Sequence, residues 1–123
     1  MYRLALEIKW LPDSLNKTLV KSWRGRHRTN LEWDAFIWAD TRGKLPKVPL
    51  AKARITIIRH AHRTLDFDGL VASMKPVVDA LVSAGVLADD SWDVTGRWEC
   101  DQSFRTKKLG PLLEILIEEI RPA

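Results

Sequence analysis

Polar and apolar residues alternate at the start of the chain, with Tyr2, Leu4, Leu6, Ile8 and Trp10 set against Arg3, Ala5, Glu7 and Lys9. A period of two predicts a half-buried strand. The stretch 11–28 is polar and basic, with Pro12, Asp13, Ser14 and Asn16 near its start, and reads as a loop that turns helical late. Thr29 with Glu32 has the form of a capping box, and Leu31, Trp33, Phe36 and Ile37 then share a helical face that ends near Gly43, an earlier start being left open. Ala51, Ala53, Ile55 and Ile57 alternate with Lys52, Arg54 and Thr56 as a second strand, and 59–69 leaves it as a loop. Val77, Val78, Leu81 and Val82 give a second helical face closed by Gly85. Pro76 either kinks a helix begun near Gly69 or sits in the first turn of one begun near Lys75. A third strand is expected over 94–100 and a fourth through Leu113, Ile115 and Ile117, where β-branched residues after Gly110 and Pro111 favour a strand over a helix. The order β-α-β-α-β-β predicts one mixed α/β (α+β) domain over 1–123, with helices packed on a mixed sheet.

Composition narrows the class. With 123 residues and 46% hydrophobic content, the chain has enough apolar material for one core, which argues against disorder throughout. Asp79 and Glu114 interrupt the longest apolar runs well short of the roughly 20 residues that span a bilayer, so no membrane span is expected. The alternating N-terminus, with Glu7 inside it, lacks the form of a secretory signal, and a cytoplasmic protein is expected. Cys100 is the one cysteine, which excludes an intrachain disulfide, and with three histidines it falls short of a structural zinc site. Spacing assigns most of the six tryptophans to the core. Trp23 is the exception, because it lies among Lys21, Arg24, Arg26 and Arg28 and is suited to stack on a base.

The net charge of +4 hides a division. Residues 1–63 carry 14 Lys or Arg against 5 Asp or Glu, whereas residues 64–123 carry 6 against 11. The basic half suits a polyanion, whose counterions are released when phosphates are neutralised. Between Thr64 and Asp93, however, stand six Asp and a single base, Lys75. Such a segment repels phosphate unless a cation stands between them.

Asp66 and Asp68 flank Phe67, and in extended backbone both carboxylates point to one side, where hard oxygen ligands suit Mg²⁺. Taken alone, the pair is equally an N-cap at Asp68 and a turn former at Asp66. Asp89 and Asp90 form a second acidic pair beyond the helix, which a chain return can bring beside the first; alone they are an ordinary turn, with Asp90 capping at Ser91. Lys75 and Asp79 share a helix face as a surface i, i+4 pair, or else the lysine is held charged to grip a phosphate oxygen. His60 and His62 have too few ligands nearby for a metal and read as solvated residues or phosphate contacts.

The runs Asp66-Phe67-Asp68-Gly69-Leu70, Lys75-Pro76-Val77-Val78-Asp79-Ala80-Leu81 and Ala84-Gly85-Val86-Leu87-Ala88-Asp89-Asp90 together resemble the signature of the RusA family of Holliday junction resolvases of bacteria and prophages. Ser14-Leu15-Asn16-Lys17 and Ser22-Trp23-Arg24 look like that family's loop after the first strand, so the likeness covers most of the chain. The resemblance implies an Mg²⁺-dependent endodeoxyribonuclease, with Mn²⁺ as a substitute, whose metal is held mainly by Asp66, Asp68 and Asp90 with help from Asp89. It implies Lys75 as the phosphate-facing base; DNA contacts are expected from the basic first half of the chain, at Asn16, Lys17, Lys21, Trp23, Arg24, Arg26, Arg28 and Arg63. The chain departs from the usual form in having Gly69 where the family has Asn, and in a longer spacing from Asp68 to Lys75. A four-way junction is two-fold symmetric and needs two opposed nicks, which implies a homodimer. Two other classes stay open: a DNA-binding module whose aspartates only cap and pair, and an Mg²⁺-dependent nuclease of flaps or other branched DNA without junction selectivity.

Overall fold

The computed structural model describes residues 1–12 and 23–121. Strand β1 is Arg3–Ile8, helix α1 is Trp23–Thr41, β2 is Ala53–Ala61, and helices α2 and α3 are Phe67–Ser73 and Lys75–Ser83. A single turn, α4, Trp92–Thr95, precedes β3, Glu99–Phe104, and β4, Leu112–Glu119. The four strands form one mixed sheet in the order β1-β4-β2-β3, with β4 antiparallel to both its neighbours and β3 parallel to β2. Parallel neighbours need a long crossover, and α2, α3 and α4 supply it.

Alternation in the strands becomes rows in the sheet. Leu4, Ile117 and Ile55 lie side by side across three strands, and Leu6, Ile115 and Ile57 form the next row, every one of them buried. The third row begins with Ile8 and Leu113 but ends at Arg59. Against these rows pack Trp33 and Ile37 of α1, Leu70 of α2, and Val77, Val78 and Leu81 of α3, all in one apolar cluster. The opposite face of the sheet, with Thr56, Ile58, Glu114 and Glu118, is only half covered. No described helix is long and apolar enough to cross a membrane.

Several expected boundaries move. The first helix takes the earlier start that the sequence left open, at Trp23, and the Thr29 hydroxyl donates to the Gly25 carbonyl at 3.1 Å instead of capping an end. The second strand continues to Ala61, past the expected loop start at Arg59. The third strand begins at Glu99, because the Ser91 carbonyl accepts from the amides of Val94 and Thr95 and closes a helical turn where a strand was expected. Of the two alternatives for Pro76, the first-turn position is the one adopted: it sits at the start of α3 after a break at Met74.

Of the tryptophans expected in the core, Trp33 is fully buried and Trp10 and Trp98 pack against the core half-buried, whereas Trp38 is 52% and Trp92 73% exposed.

Candidate functional site

The site assembles at the two ends of the α2–α3 pair. Before α2, the Gln102 side chain on β3 holds the backbone of Leu65 at both ends: its Oε1 accepts the Leu65 amide at 2.9 Å and its Nε2 donates to the Leu65 carbonyl at 2.7 Å. Asp66 follows as the N-cap of α2, with extended backbone, and its Oδ1 accepts the Gly69 amide at 3.2 Å. Asp68 is already inside the first helical turn and exposed. The expected placement of both carboxylates on one side therefore does not apply: it needs two extended residues, and the helix starts between them. The cap expected at Asp68 falls on Asp66 for the same reason. A glycine is required for this pose, since a Cβ at position 69 would lie 2.5 Å from Asp66 Oδ1.

Beyond α3 the chain turns back sharply. Gly85, at φ +92, lets Val86 donate to the Leu81 carbonyl at 3.0 Å while its own amide reaches Val82 at 3.1 Å, the paired bonds of a Schellman end. Leu50 then takes the strand on both sides, donating to Val86 at 2.9 Å and accepting from Ala88 at 3.0 Å. This short bridge delivers Asp89 and Asp90 to the start of α3. There the Lys75 ammonium stands between two carboxylates, donating to Asp79 Oδ1 at 2.8 Å and to Asp90 Oδ2. The Asp90 amide donates to Asp89 Oδ1 at 2.9 Å.

The electrostatics follow from that meeting. Burial pulls the Lys75 ammonium down, but hydrogen bonds and opposite charge from Asp79 and Asp90 outweigh it and leave its pKa above the ordinary lysine value. The hydrogen bond and charge of Lys75 hold Asp90 below the usual carboxylate range. Asp34, half-buried on α1, is pushed up by burial and then by the nearby charge of Asp79.

Carboxylate oxygens are the ligands Mg²⁺ prefers, and a cation, the lysine ammonium, already stands between two of them. Asp66, Asp68, Asp89 and Asp90 carry the oxygen donors a divalent ion takes, but the expected return of Asp89 and Asp90 to the side of Asp66 and Asp68 does not gather the four into one ligand set. Among the described residues, no three His, Cys, Asp or Glu side chains stand close enough together to share an ion.

Of the expected DNA contacts, Arg24, Arg26 and Arg28 are exposed on the first turns of α1, and Arg63 is exposed in the loop before Asp66. Asn16, Lys17 and Lys21 lie outside the described residues, as does the side chain of Trp23. His60 is not solvated: its ring Nε2 pairs with Glu114 Oε1 on the neighbouring strand. Three residues escape the reading of the sequence. Asp34 and Gln102 reach the site across long stretches of chain, and no spacing signals them. Trp92, placed in the core by its spacing, instead joins Phe67 and Asp90 in lining an open cleft of about 340 Å³; its place directly after the Asp89-Asp90-Ser91 turn was the available signal.

Set against known proteins, the chain matches no family model and no curated sequence.

Proposed function

We propose that this chain is an Mg²⁺-dependent endodeoxyribonuclease that nicks branched DNA, four-way junctions foremost, as a homodimer like the RusA resolvases it resembles. The observation that carries the reading is the meeting of Lys75, Asp79 and Asp90, which brings two separated parts of the resembling motif to one point. For Asp66, Asp68, Asp89 and Asp90 to hold the ion, with Mn²⁺ as a substitute, these carboxylates would have to draw together around it, since no three of them share one point in the structure. A bound Mg²⁺ supplies positive charge beside the phosphate oxygens and a water of lowered pKa. Lys75, kept protonated by its two carboxylates, offsets negative charge building on the phosphate. Arg24, Arg26, Arg28 and Arg63 hold the flanking backbone, with contacts tolerant of sequence. The setting that goes with this substrate is the cytoplasm.

A second reading, a DNA-binding module without catalysis, is favoured by one observation: Asp66 is engaged in a cap and Asp90 in an ion pair. Incubating the protein with a synthetic four-way junction, a flap and a linear duplex, each with and without Mg²⁺, separates the readings. Paired nicks in the junction only when Mg²⁺ is present are expected. Binding without nicking of any branched substrate would leave the module, and nicking of flaps in preference to junctions would remove the junction selectivity.

A further inference from the structure

At the far end of β2 a second cavity opens, about 350 Å³ in volume, and its lining has an unusual charge. Arg59, His62, Arg63, Arg105 and Lys107 surround it over a floor that includes Ala61, and among the described residues no Asp or Glu lines it. Four permanent cations about one small cavity repel each other, and the described residues offer no carboxylate to the lining.

Two of the guanidinium groups are also held in place by backbone. Arg59 Nη1 donates to the Arg63 carbonyl at 2.6 Å, and Arg105 Nε donates to the Gly110 carbonyl at 2.8 Å. Arg59 closes the third core row of the sheet, where burial lowers its pKa and its Nε is enclosed without a partner among the described residues. The half-buried Arg59 guanidinium loses part of its hydration, and no counter-charge among the described residues lining the cavity offsets that loss. Oriented guanidinium forks in a part-enclosed basic cavity are the arrangement that binds phosphate oxygens.

We infer that this cavity is a phosphate-binding site, and that it takes a backbone phosphate of the DNA strand leading to the acidic site. The choice of a nucleic-acid strand rests on the function proposed above and on continuity of the chain. Arg63 lies three residues before Asp66, so their Cα atoms are at most about 11 Å apart, the axial rise of roughly three base pairs of duplex. A strand gripped here is positioned at a fixed distance from the acidic residues.

The test is binding of a fluorescent single-stranded oligothymidylate, titrated in EDTA over a range of salt. Arg105→Gln/Lys107→Gln in the full chain is compared with a control of equal charge loss, Lys47→Gln/Lys52→Gln. Roughly tenfold weaker binding is expected for the cavity pair, with a log–log salt slope shallower by about 0.7 for each phosphate no longer neutralised, and little change for the control. Equal effects from both pairs, or none from either, would overturn the site. Lys107→Glu, at an exposed position, gives the same comparison if the double variant fails to fold. Inorganic phosphate alone should raise the melting temperature of the wild type but not of the cavity variant, and oligothymidylate should compete with it; phosphate binding without such competition would overturn the DNA strand as occupant. Because no metal is present, binding is read independently of cutting. Loss of binding in the cavity variant alongside a wild type that never nicks DNA leaves the site standing and removes the nuclease. Nicking with binding unaffected by the cavity pair does the reverse.

Discussion

At position 69 the absence of a side chain decides where a carboxylate sits. Replacing Gly69 by Ala drives the Asp66 carboxylate off its cap, since the added Cβ would lie 2.5 Å from Oδ1. Losing the cap costs about 0.5–2 kcal/mol, while Ala inside a helix regains about 0.5–1 kcal/mol. The two nearly cancel, so melting temperature is a poor readout and local exchange a good one: faster exchange of the residue 69 amide with little change in overall stability is the expected result. Asp90 and Lys75 give a pH prediction. The lowered pKa of Asp90 makes its contribution present above the unfolded carboxylate value and lost as pH falls through the folded one. The raised pKa of Lys75 makes its share present below the unfolded lysine value and lost as pH rises through the folded one. Asp90→Asn should therefore destabilise by a constant amount around neutrality, about 1 kcal/mol or less because both groups are substantially solvated. In urea unfolding, the difference from wild type should shrink as the pH falls below about 4. The composition of the acidic segment was visible in the sequence. The contact of Lys75 with Asp90 was not, because it depends on the Leu50 bridge to residues 86–88, a pairing with no local signature.

Among the elements, those with one wet face and one dry face were the legible ones. β1, β2 and β4 follow their alternation closely, and Gly85 ends α3 where the apolar face stops. Boundaries set by polar residues were not. Thr29 and Glu32 match a capping box, yet the helix passes through them, since a hydroxyl in mid-helix can bond back to the carbonyl four residues earlier. The alternation of Val94, Gly96 and Trp98 was likewise overridden by the short turn at Ser91. Of the expected helical face of α1, Trp33 and Ile37 are fully enclosed, whereas Leu31 and Phe36 lie exposed at its edge and Trp38 is stacked on by Arg42 at the surface. Trp33→Ala should cost about 3–5 kcal/mol in equilibrium unfolding, and Trp38→Ala less than about 1 kcal/mol. Similar losses at the two sites would contradict the packing.

The whole molecule holds its two kinds of charge in separate places. An acidic region surrounds the start of α3, and a cavity lined by basic side chains opens beside the loop that leads to Asp66. A single chain offers one such arrangement, whereas symmetrical cutting needs two. Sedimentation of the full chain is therefore expected to give a dimer, and a monomer under conditions where junctions are nicked in pairs would contradict that symmetry. The most direct measurement on the proposed function is the rate of junction nicking by Asp90→Asn with Mg²⁺ present, beside the affinity of the same variant for the same junction. A fall in rate on the order of 100-fold or more, with affinity retained, is expected. An unchanged rate would show that the acidic cluster at Lys75 serves the fold alone.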